Sequence, residues 1–213
     1  MNTNFITQQD IEHRDYYIAQ ALNGNTACTW PVLINLWEMV ITSEPGDILE
    51  IGCWRGGSSL VIAATAARFK PTSHFYICDT FQGLVKSGPN DNCHKDGDFQ
   101  DTSKEHVENL LSRHGLNNFS ICQGIFPDQT AHMIHSRKLS LIHVDVDIYQ
   151  CYVDILHWSQ HRLTPGGILV FDDYNTASCA GAAIAVDEFF ASRTDYNLTR
   201  LNHNGVAVAR YMG

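Results

Sequence analysis

Short apolar segments alternate with helical patterns along most of this chain, and this alternation limits the fold more than any other feature of the sequence. Apolar strands are predicted at residues 47–52, 74–79, 119–123, 139–145, 168–172, 196–201 and 205–211. Helical patterns are predicted between them at residues 58–69, 104–114, 129–136, 149–161 and 181–192. Such alternation builds an α/β fold, with a mostly parallel sheet whose two faces are covered by helices. The pair Asn204-Gly205 is a hairpin signal, so we expect the last strand to be antiparallel to its neighbour.

A helical segment precedes this alternating region. Residues 1–29 are polar and mixed, and residues 30–42 carry apolar side chains at helical spacing before a Pro-Gly pair breaks the pattern. We therefore divide the chain into an N-terminal helical segment or lid, residues 1–42, and a cofactor-binding domain, residues 43–213. The N-terminal helices have no obvious packing partner in the sequence, which suggests a homodimer.

The chain is acidic, with a formal net charge of −9 and a pI of about 5.5. It contains no run rich in Lys or Arg, so a nucleic-acid partner is not expected and an anionic membrane surface is disfavoured. The longest apolar stretch, residues 60–67, is too short to span a bilayer, and the first five residues lack the features of a secretory signal. Seven cysteines without a C-x-x-C pair indicate reduced thiols and a cytoplasmic protein.

A glycine-rich turn follows the first predicted strand and opens the next helix. It reads EIGCWRGG over residues 50–57. Glycines in such a turn allow a cofactor to approach the backbone at a helix N-terminus. The spacing G-x-x-x-G-G is wider than the G-x-G-x-x-G of dinucleotide enzymes, which favours a bulkier, non-phosphate group such as an amino-acid tail. Ser58 and Ser59 begin the helix, where they can cap it or bind a carboxylate.

The ends of the second and third predicted strands indicate the rest of a cofactor site. Asp79 ends the second strand, where an acid can accept hydrogen bonds from both hydroxyls of a ribose. The third strand ends at Gln123-Gly124-Ile125-Phe126, an edge that would form the wall of a base pocket. Either Ile125 or Phe126 faces the base, or both belong to the core, and the residues leave these alternatives open.

A long irregular segment, residues 82–100, lies between the second strand and the following helix. It contains three glycines, one proline and several acids. A loop of this length in a compact domain is usually functional. We expect it to cover the active site.

Four aspartates follow two other predicted strands, at the strand ends where open α/β sheets place their chemistry. They are Asp145, Asp147, Asp172 and Asp173. A cluster of such oxygen donors suits Mg²⁺ or Mn²⁺ and disfavours zinc. Asp145 and Asp147 would point to the same side of an extended strand, so one can bind a metal ion while Asp147 acts as the general base. His143 is the rival base, and ordinary capping of helices and loops is the alternative role for the acids.

Seven segments of the chain match, in order and spacing, the motifs of one enzyme family. They are EIGCWRGG at 50–57, DTFQGL at 79–84, GDF at 97–99, HVDVDIY at 143–149, PGG at 165–167, DDY at 172–174 and GAAIAVDEF at 181–189. In these segments the chain resembles the macrocin O-methyltransferase family. Its members are class I, metal-dependent enzymes that use S-adenosylmethionine (SAM) to methylate sugar hydroxyls in natural products. The resemblance implies a Rossmann-like class I methyltransferase fold with a seven-stranded sheet and an antiparallel last strand.

The resemblance also implies roles for particular residues. Asp145, Asp172 and Asp173 match the metal ligands, and Asp79 matches the ribose-binding acid. The expected cofactors are SAM and Mg²⁺ (or Mn²⁺). Taken with the motifs above, the expected cofactor contacts are Glu50, Gly52, Arg55, Gly56, Ser58, Ser59, Asp79, Thr80, Phe81, Gln123, Gly124, Ile125 and Asp145. The expected catalytic residues are Asp147, Asp145 and His143.

The sequence therefore predicts a metal-dependent and SAM-dependent O-methyltransferase that acts on a hydroxyl of a small molecule. A sugar or a glycosylated natural product is the favoured acceptor, and a phenol or catechol is the nearest alternative. A nicotinamide-dependent oxidoreductase is an alternative from another class, although the chain lacks G-x-G-x-x-G. A non-catalytic SAM-binding protein is the remaining alternative. Residues 1–29 do not match the family, which leaves the acceptor open.

Overall fold

The computed structural model describes residues 6–135, 138–201 and 205–213. The helices are α1 (Gln8–Leu22), α2 (Trp30–Thr42), α3 (Gly57–Phe69), α4 (Lys104–Ser112), α5 (Tyr149–Ser159) and α6 (Ala180–Phe190). The strands are β1 (Asp47–Ile51), β2 (Phe75–Asp79), β3 (Phe119–Gln123), β4 (Leu139–Val144), β5 (Leu163–Phe171), β6 (Tyr196–Leu201) and β7 (Val206–Tyr211). Short 3-10 helices lie at Ala131–Met133 and Ala177–Cys179.

The seven strands form one sheet in the order β3-β2-β1-β4-β5-β7-β6. The pairs from β3 to β5 are parallel, and β7 is antiparallel to both β5 and β6. The direction of strand addition reverses between β1 and β4. In open α/β sheets the crevice at such a reversal, outside the carboxyl ends of the strands, is where ligands bind. The predicted seven-stranded, mostly parallel sheet is confirmed.

Helices cover both faces because successive residues of each strand point to opposite sides. In β1, Ile48 belongs to the apolar cluster packed against α1 to α4, whereas Leu49 belongs to the cluster packed against α5 and α6. All six residues of β4 are buried, as expected for a central strand with both faces covered. This arrangement leaves the carboxyl ends of the strands as the open edge of the sheet.

The N-terminal helices pack against the same face of the sheet as α3. Thr7 and Asp10 form a capping box at the start of α1, and the carboxylate of Asp10 accepts a 2.6 Å hydrogen bond from the guanidinium of Arg68 in α3. Leu33 and Leu36 of α2 lie in the same core cluster. The reason given above for a homodimer is therefore wrong, since these helices have a packing surface within the chain. The division at residue 42 stays a prediction.

Some predicted boundaries were wrong for identifiable reasons. The helix expected over residues 129–136 is only the 3-10 turn Ala131–Met133, and its last expected residue lies outside the described part of the chain. Strand β5 begins at Leu163, before the expected turn, because Gly166 has a φ of +80° and allows the strand to bulge. Of the expected hairpin pair, Asn204 lies outside the described residues, and Gly205 has a φ of +74°.

No helix in the described ranges combines the length and the hydropathy that crossing a bilayer requires. All seven cysteines lie in described parts of the chain and are free thiols. Cys93 is exposed, Cys28 is partly buried and the other five are buried. The expectation of reduced thiols agrees with this pattern, and the cytoplasmic location stays a prediction.

Candidate active site at the carboxyl edge of the sheet

A cavity of about 410 Å³ opens at the carboxyl ends of β1, β2, β3, β4 and β5. Its other walls are the connector between α1 and α2, the irregular segment after β2 and the turn before α6. Leu84, Val85, His94 and Phe99 of the irregular segment line it, and the expectation that residues 82–100 cover an active site stays a prediction.

The glycine-rich turn forms the wall at the end of β1. Gly52 has a φ of +86°, and a Cβ atom there would lie 1.7 Å from the carbonyl oxygen of Asp145. Gly56 has a φ of +83° and begins α3 without any side-chain cap. A Cβ atom on Gly57 would lie 2.7 Å from the carbonyl oxygen of Asn25. Glycine at positions 52 and 57 therefore lets the turn contact β4 on one side and the α1–α2 connector on the other.

Asp79 is the residue that organises this turn. Its Oδ2 accepts hydrogen bonds from the backbone amides of Cys53 and Trp54, at 2.8 and 2.9 Å, and its Oδ1 accepts one from the amide of Phe81 at 2.7 Å. The Cys53 thiol also forms a hydrogen bond with Asp79, and the residue lines the cavity. The ribose-binding role of Asp79 stays a prediction.

Glu50, Ser59 and His143 form a hydrogen-bonded group beneath the cavity. All three side chains are buried, and the cavity wall does not include them. The Nδ1 atom of His143 lies 3.0 Å from Oε1 of Glu50, and the hydroxyl of Ser59 donates to Oε2 of the same carboxylate. Glu50 and Ser59 are therefore directed at each other outside the cavity wall, and their expected contacts with the cofactor stay predictions. His143, the rival base, also lies outside the cavity wall, and its role stays a prediction.

The remaining expected cofactor contacts divide into two groups. Those in the cavity wall are Gly52, Ser58, Asp79, Thr80, Gly124, Ile125 and Asp145. Those outside it are Arg55, Gly56, Phe81 and Gln123. The Arg55 guanidinium lies 4.5 Å from the centre of the Trp54 ring and forms an ion pair with Asp101. These contacts stabilise the position of the Trp54 ring beside the cavity. Ile125 and Phe126 both line the cavity, which favours the base-pocket interpretation over a purely structural one.

Asp145 and Asp172 lie together at the ends of β4 and β5. Strand β5 ends at Phe171, so Asp172 and Asp173 occupy a turn, as expected where the strand stops. The Oδ1 atom of Asp172 is buried without a hydrogen-bond partner among the described residues. Burial raises the pKa of the Asp145 carboxyl, and the negative charges of Asp172 and Asp173 raise it further.

The thiol of Cys28, in the α1–α2 connector, faces these two acids. Its Sγ atom lies 3.6 Å from Oδ2 of Asp172 and 3.8 Å from Oδ2 of Asp145. These three residues offer ligand atoms that all lie within 4.8 Å of one another. Sequence reasoning missed Cys28 because it lies in an irregular connector more than a hundred residues from the acids.

Asp173, the third expected metal ligand, lies in the cavity wall but outside that converging group. Its Oδ2 atom is 3.3 Å from the backbone amide of Asp147 and 3.4 Å from the hydroxyl of Tyr152, both of which donate to it. Its ligand role stays a prediction.

Asp147 lies in the cavity wall, but its backbone conformation differs from the expected one. Strand β4 ends at Val144, and Asp147 has a left-handed φ of +56°, so the expectation of two side chains on one face of an extended strand was wrong. The Oδ1 atom of Asp147 accepts a 3.0 Å hydrogen bond from the Cys179 thiol and lies 3.8 Å from Nε2 of His94. Burial raises the pKa of Asp147. His94 was not predicted, because no periodic pattern marks its place in a long loop.

Aromatic side chains line the mouth of the cavity. The rings of Trp54 and Phe99 meet edge to face at 5.6 Å between centroids, and the His94 ring lies 5.7 Å from that of Phe99. The indole Nε1 of Trp54 donates a 2.8 Å hydrogen bond to Asp101. The entrance therefore offers flat apolar surfaces next to acidic groups, an arrangement suited to a ligand with both a ring and hydroxyls.

The fold is shared with solved O-methyltransferase structures. The structure described as "the O-methyltransferase NovP" is similar with a TM-score of 0.77 at 23% identity, covering 90% of this chain and 84% of that chain. The structure of "CalS11, Calicheamicin Methyltransferase" is similar with a TM-score of 0.73 at 16% identity, covering 97% and 94%. At these identities the comparison supports the fold alone.

Curated relatives are more similar in sequence. The chain is 31% identical over 150 residues to the mycinamicin III 3''-O-methyltransferase of Micromonospora griseorubida, which covers 65% of this chain and 59% of the relative. It is 30% identical over 148 residues to the 8-demethyl-8-(2,3-dimethoxy-alpha-L-rhamnosyl)-tetracenomycin-C 4'-O-methyltransferase of Streptomyces olivaceus, which covers 65% of this chain and 56% of the relative. The match thus spans less than two thirds of the length of these relatives.

A family model gives the widest sequence match. The model described as macrocin-O-methyltransferase (TylF) matches residues 32–210, which runs from α2 to β7 and includes every acid of the site. With the sheet order and the placement of the strand-end acids, this match establishes that the chain belongs to the macrocin O-methyltransferase family.

Proposed function

We propose that the protein is a metal-dependent O-methyltransferase that uses SAM to methylate a hydroxyl group of a small molecule. The observation that carries this proposal is the position of Asp145 and Asp172. These two acids meet at the reversal point of the sheet, in the same cavity as the glycine-rich turn. A cofactor held by the turn and an acceptor held by the acids would therefore be neighbours.

The turn and the end of β2 would hold the cofactor. SAM, when bound, supplies a methyl group on a positively charged sulfur. The close approach at Gly52 leaves the backbone of the turn facing the cavity, and Asp79 keeps that backbone in place through its three amide contacts. Gly124 and Ile125 would form the wall for the base.

The acids would hold a divalent cation. Their carboxylates are the donors found in Mg²⁺ and Mn²⁺ sites, and Asp172 keeps a buried oxygen without a partner among the described residues. Buried carboxylates that repel one another and hold raised pKa values are stabilised when a cation offsets their charge. A divalent cation in such a site lowers the pKa of a coordinated hydroxyl. Asp145 and Asp172 are the proposed ligands, with Asp173 as a third.

Asp147 is placed to accept the proton of the acceptor hydroxyl. Its carboxylate lies in the cavity wall next to the proposed metal ligands, and its Oδ1 already accepts a hydrogen bond from Cys179. The other carboxylate oxygen is the proposed proton acceptor. The left-handed turn at this residue separates it from Asp145, so the two acids can serve different roles.

A sugar hydroxyl is the favoured acceptor. The relatives from Micromonospora griseorubida and Streptomyces olivaceus are named for methylation at primed positions of glycosylated compounds. The aromatic mouth formed by Trp54 and Phe99 offers surfaces for a sugar ring or for an attached polyketide. A phenol or catechol acceptor remains the alternative, since the same walls suit an aromatic ring.

The Asp172→Asn variant tests the metal-dependent reaction. Turnover of a panel of deoxysugar-bearing natural products should be lost, while SAM affinity measured by titration calorimetry should survive. The matched control is Asp195→Asn, which removes a partly exposed acid that pairs with Arg193 outside the cavity wall. Full turnover by Asp172→Asn would reject the metal role. Intact SAM binding without turnover of any hydroxylated acceptor, in wild-type protein with Mg²⁺ or Mn²⁺, would favour the non-catalytic alternative.

A further inference from the structure

We infer that Cys28 is a metal ligand, so that the centre is a mixed sulfur and oxygen site that binds a thiophilic divalent cation such as Zn²⁺ or Co²⁺ more tightly than a site of oxygen ligands alone would. This inference rests on the proposed divalent-cation site and adds to it a ligand that the sequence motifs do not contain.

The spacing of the ligand atoms is the first argument. The Sγ atom of Cys28 lies 3.6 Å from one carboxylate oxygen of Asp172 and 3.8 Å from one of Asp145. Metal–sulfur and metal–oxygen bonds of about 2.3 and 2.1 Å at a tetrahedral angle place sulfur and oxygen about 3.6 Å apart. His94, Asp147 and Cys179 form a second group of potential ligands nearby, but the Cys179 sulfur lies 3.0 Å from Asp147, which is shorter than that spacing. The distances from the Cys28 sulfur to the oxygens of both acids therefore match the distance between two ligands of one metal ion.

The limited hydrogen-bonding capacity of the Cys28 thiol is the second argument. A thiol has a single proton, and Cys28 faces two carboxylates. It can donate to one of them only, which leaves the other acid without that hydrogen bond. Oδ1 of Asp172, which has no partner in the described ranges, adds another unsatisfied atom to the same group. A cation shared by all three side chains satisfies these atoms together.

The backbone around Cys28 is anchored, which a ligand requires. The amide of Cys28 donates a 3.0 Å hydrogen bond to the hydroxyl of Thr26. Earlier in this connector, the carbonyl of Asn25 accepts a 2.8 Å hydrogen bond from the amide of Gly57 in the glycine-rich turn. The connector is therefore held against the glycine-rich turn, and its thiol lines the cavity.

The chemistry of sulfur sets the expected selectivity. Thiolate ligands favour zinc and other late first-row cations, whereas Mg²⁺ binds oxygen ligands almost exclusively. When the metal–sulfur bond forms, the thiol proton passes to the buffer and the thiolate supplies the electron pair. The site then has one sulfur and at least two oxygen donors, with further positions for solvent or an acceptor hydroxyl.

Cobalt titration of the full chain, treated with chelator and kept reduced, tests this inference. Wild-type protein should develop a sulfur-to-cobalt charge-transfer band in the near ultraviolet as Co²⁺ is added. The Cys28→Ser variant should lose the band and bind Co²⁺ about tenfold more weakly or worse. The Cys28→Asp variant should bind Co²⁺ without the band and should gain affinity for Mg²⁺. Cys179→Ser, which changes the thiol beside Asp147, should keep the band.

Two outcomes would overturn the inference alone, and a third, distinguished by calorimetry, would reject the proposed metal site with it. Co²⁺ that binds with measurable heat but gives no sulfur band would remove Cys28 while leaving a metal site. A band lost in Cys179→Ser and kept in Cys28→Ser would assign the sulfur to the other thiol. No heat with Co²⁺, Mg²⁺ or Mn²⁺ would reject the metal site itself. Thermal unfolding of each variant checks that the fold is retained.

Discussion

The backbones of Gly52 and Asp145 touch at the ends of β1 and β4. A Cβ atom at position 52 would lie 1.7 Å from the carbonyl oxygen of Asp145, and the amide of Asp145 donates a 2.9 Å hydrogen bond to the carbonyl of Ile51. The glycine that opens the proposed cofactor turn thus also allows the close approach of Asp145, a proposed metal ligand. The proposed cofactor-binding turn and the proposed metal ligand are therefore in direct backbone contact.

Gly52→Ala should therefore damage both fold and function. The added methyl would force the strand ends apart. We expect the free energy of unfolding to fall by about 3 kcal/mol, the upper end of the usual cost of overpacking a core. SAM affinity should fall with it. Urea unfolding and calorimetry measure the two effects.

The matched control for that change is Gly115→Ala. Gly115 has a φ of +74°, but a Cβ atom added there would meet no other atom within 4 Å, so the variant carries only the backbone strain, about 1–2 kcal/mol. Equal losses in the two variants would show that the contact with Asp145 is unimportant.

Asp79→Ala should weaken SAM binding by about 1–3 kcal/mol, the usual scale for loss of hydrogen bonds to a charged group. The reason is twofold, since the carboxylate holds the amides of Cys53 and Trp54 and is the proposed acceptor for the ribose hydroxyls. Calorimetry with SAM measures this, and Asp195→Ala, at a partly exposed acid outside the cavity wall, is the control. An unchanged SAM affinity in Asp79→Ala would reject its role in the site.

Glu50→Ala should lower stability and leave cofactor recognition nearly intact. Removing one partner from the buried pair with His143 costs roughly 3–5 kcal/mol, because the other polar group is left without compensation. The folded variant should bind SAM within about twofold of wild type, since the Glu50 side chain does not line the cavity. The opposite result, intact stability with lost SAM binding, would restore the direct contact expected from the sequence.

Stability of the metal-free protein should fall as the pH rises. The pKa of Asp145 and of Asp173 is raised by burial and by neighbouring acids, so above about pH 4 the folded chain binds more protons than the unfolded chain. Unfolding free energy then decreases with pH through the window between the ordinary and the raised pKa. We expect the melting temperature of chelator-treated protein to drop as the pH rises above about 4.

Two changes should reduce the fall in stability with rising pH. Asp145→Asn removes one of the repelling charges, and a bound divalent cation offsets them in wild-type protein. Asp101→Asn, at an exposed acid, should leave the slope as it is. A slope that is the same in wild type and Asp145→Asn would contradict the proposed repulsion among the buried acids.

The sequence alone predicted the sheet and the residues that follow its strands. Strand β3 has the predicted bounds, and Asp79 and Asp145 lie at the predicted strand ends. These predictions succeeded because apolar strands and glycine turns are local patterns.

The partners of those residues could not be predicted in the same way. Glu50 and His143 pair because β1 and β4 lie side by side in register, which only the strand order reveals. Cys28 and His94 enter the cavity from irregular segments that carry no periodicity. The position of Asp147 depends on a left-handed turn that a non-glycine residue seldom adopts.

The most direct measurement is titration calorimetry of SAM and of a nicotinamide dinucleotide into chelator-treated protein, with and without added divalent cation. We expect that SAM binds in the micromolar range, that the dinucleotide does not bind, and that the metal binds independently through Asp172. Binding of the dinucleotide without binding of SAM would contradict the proposed function and would favour the oxidoreductase alternative.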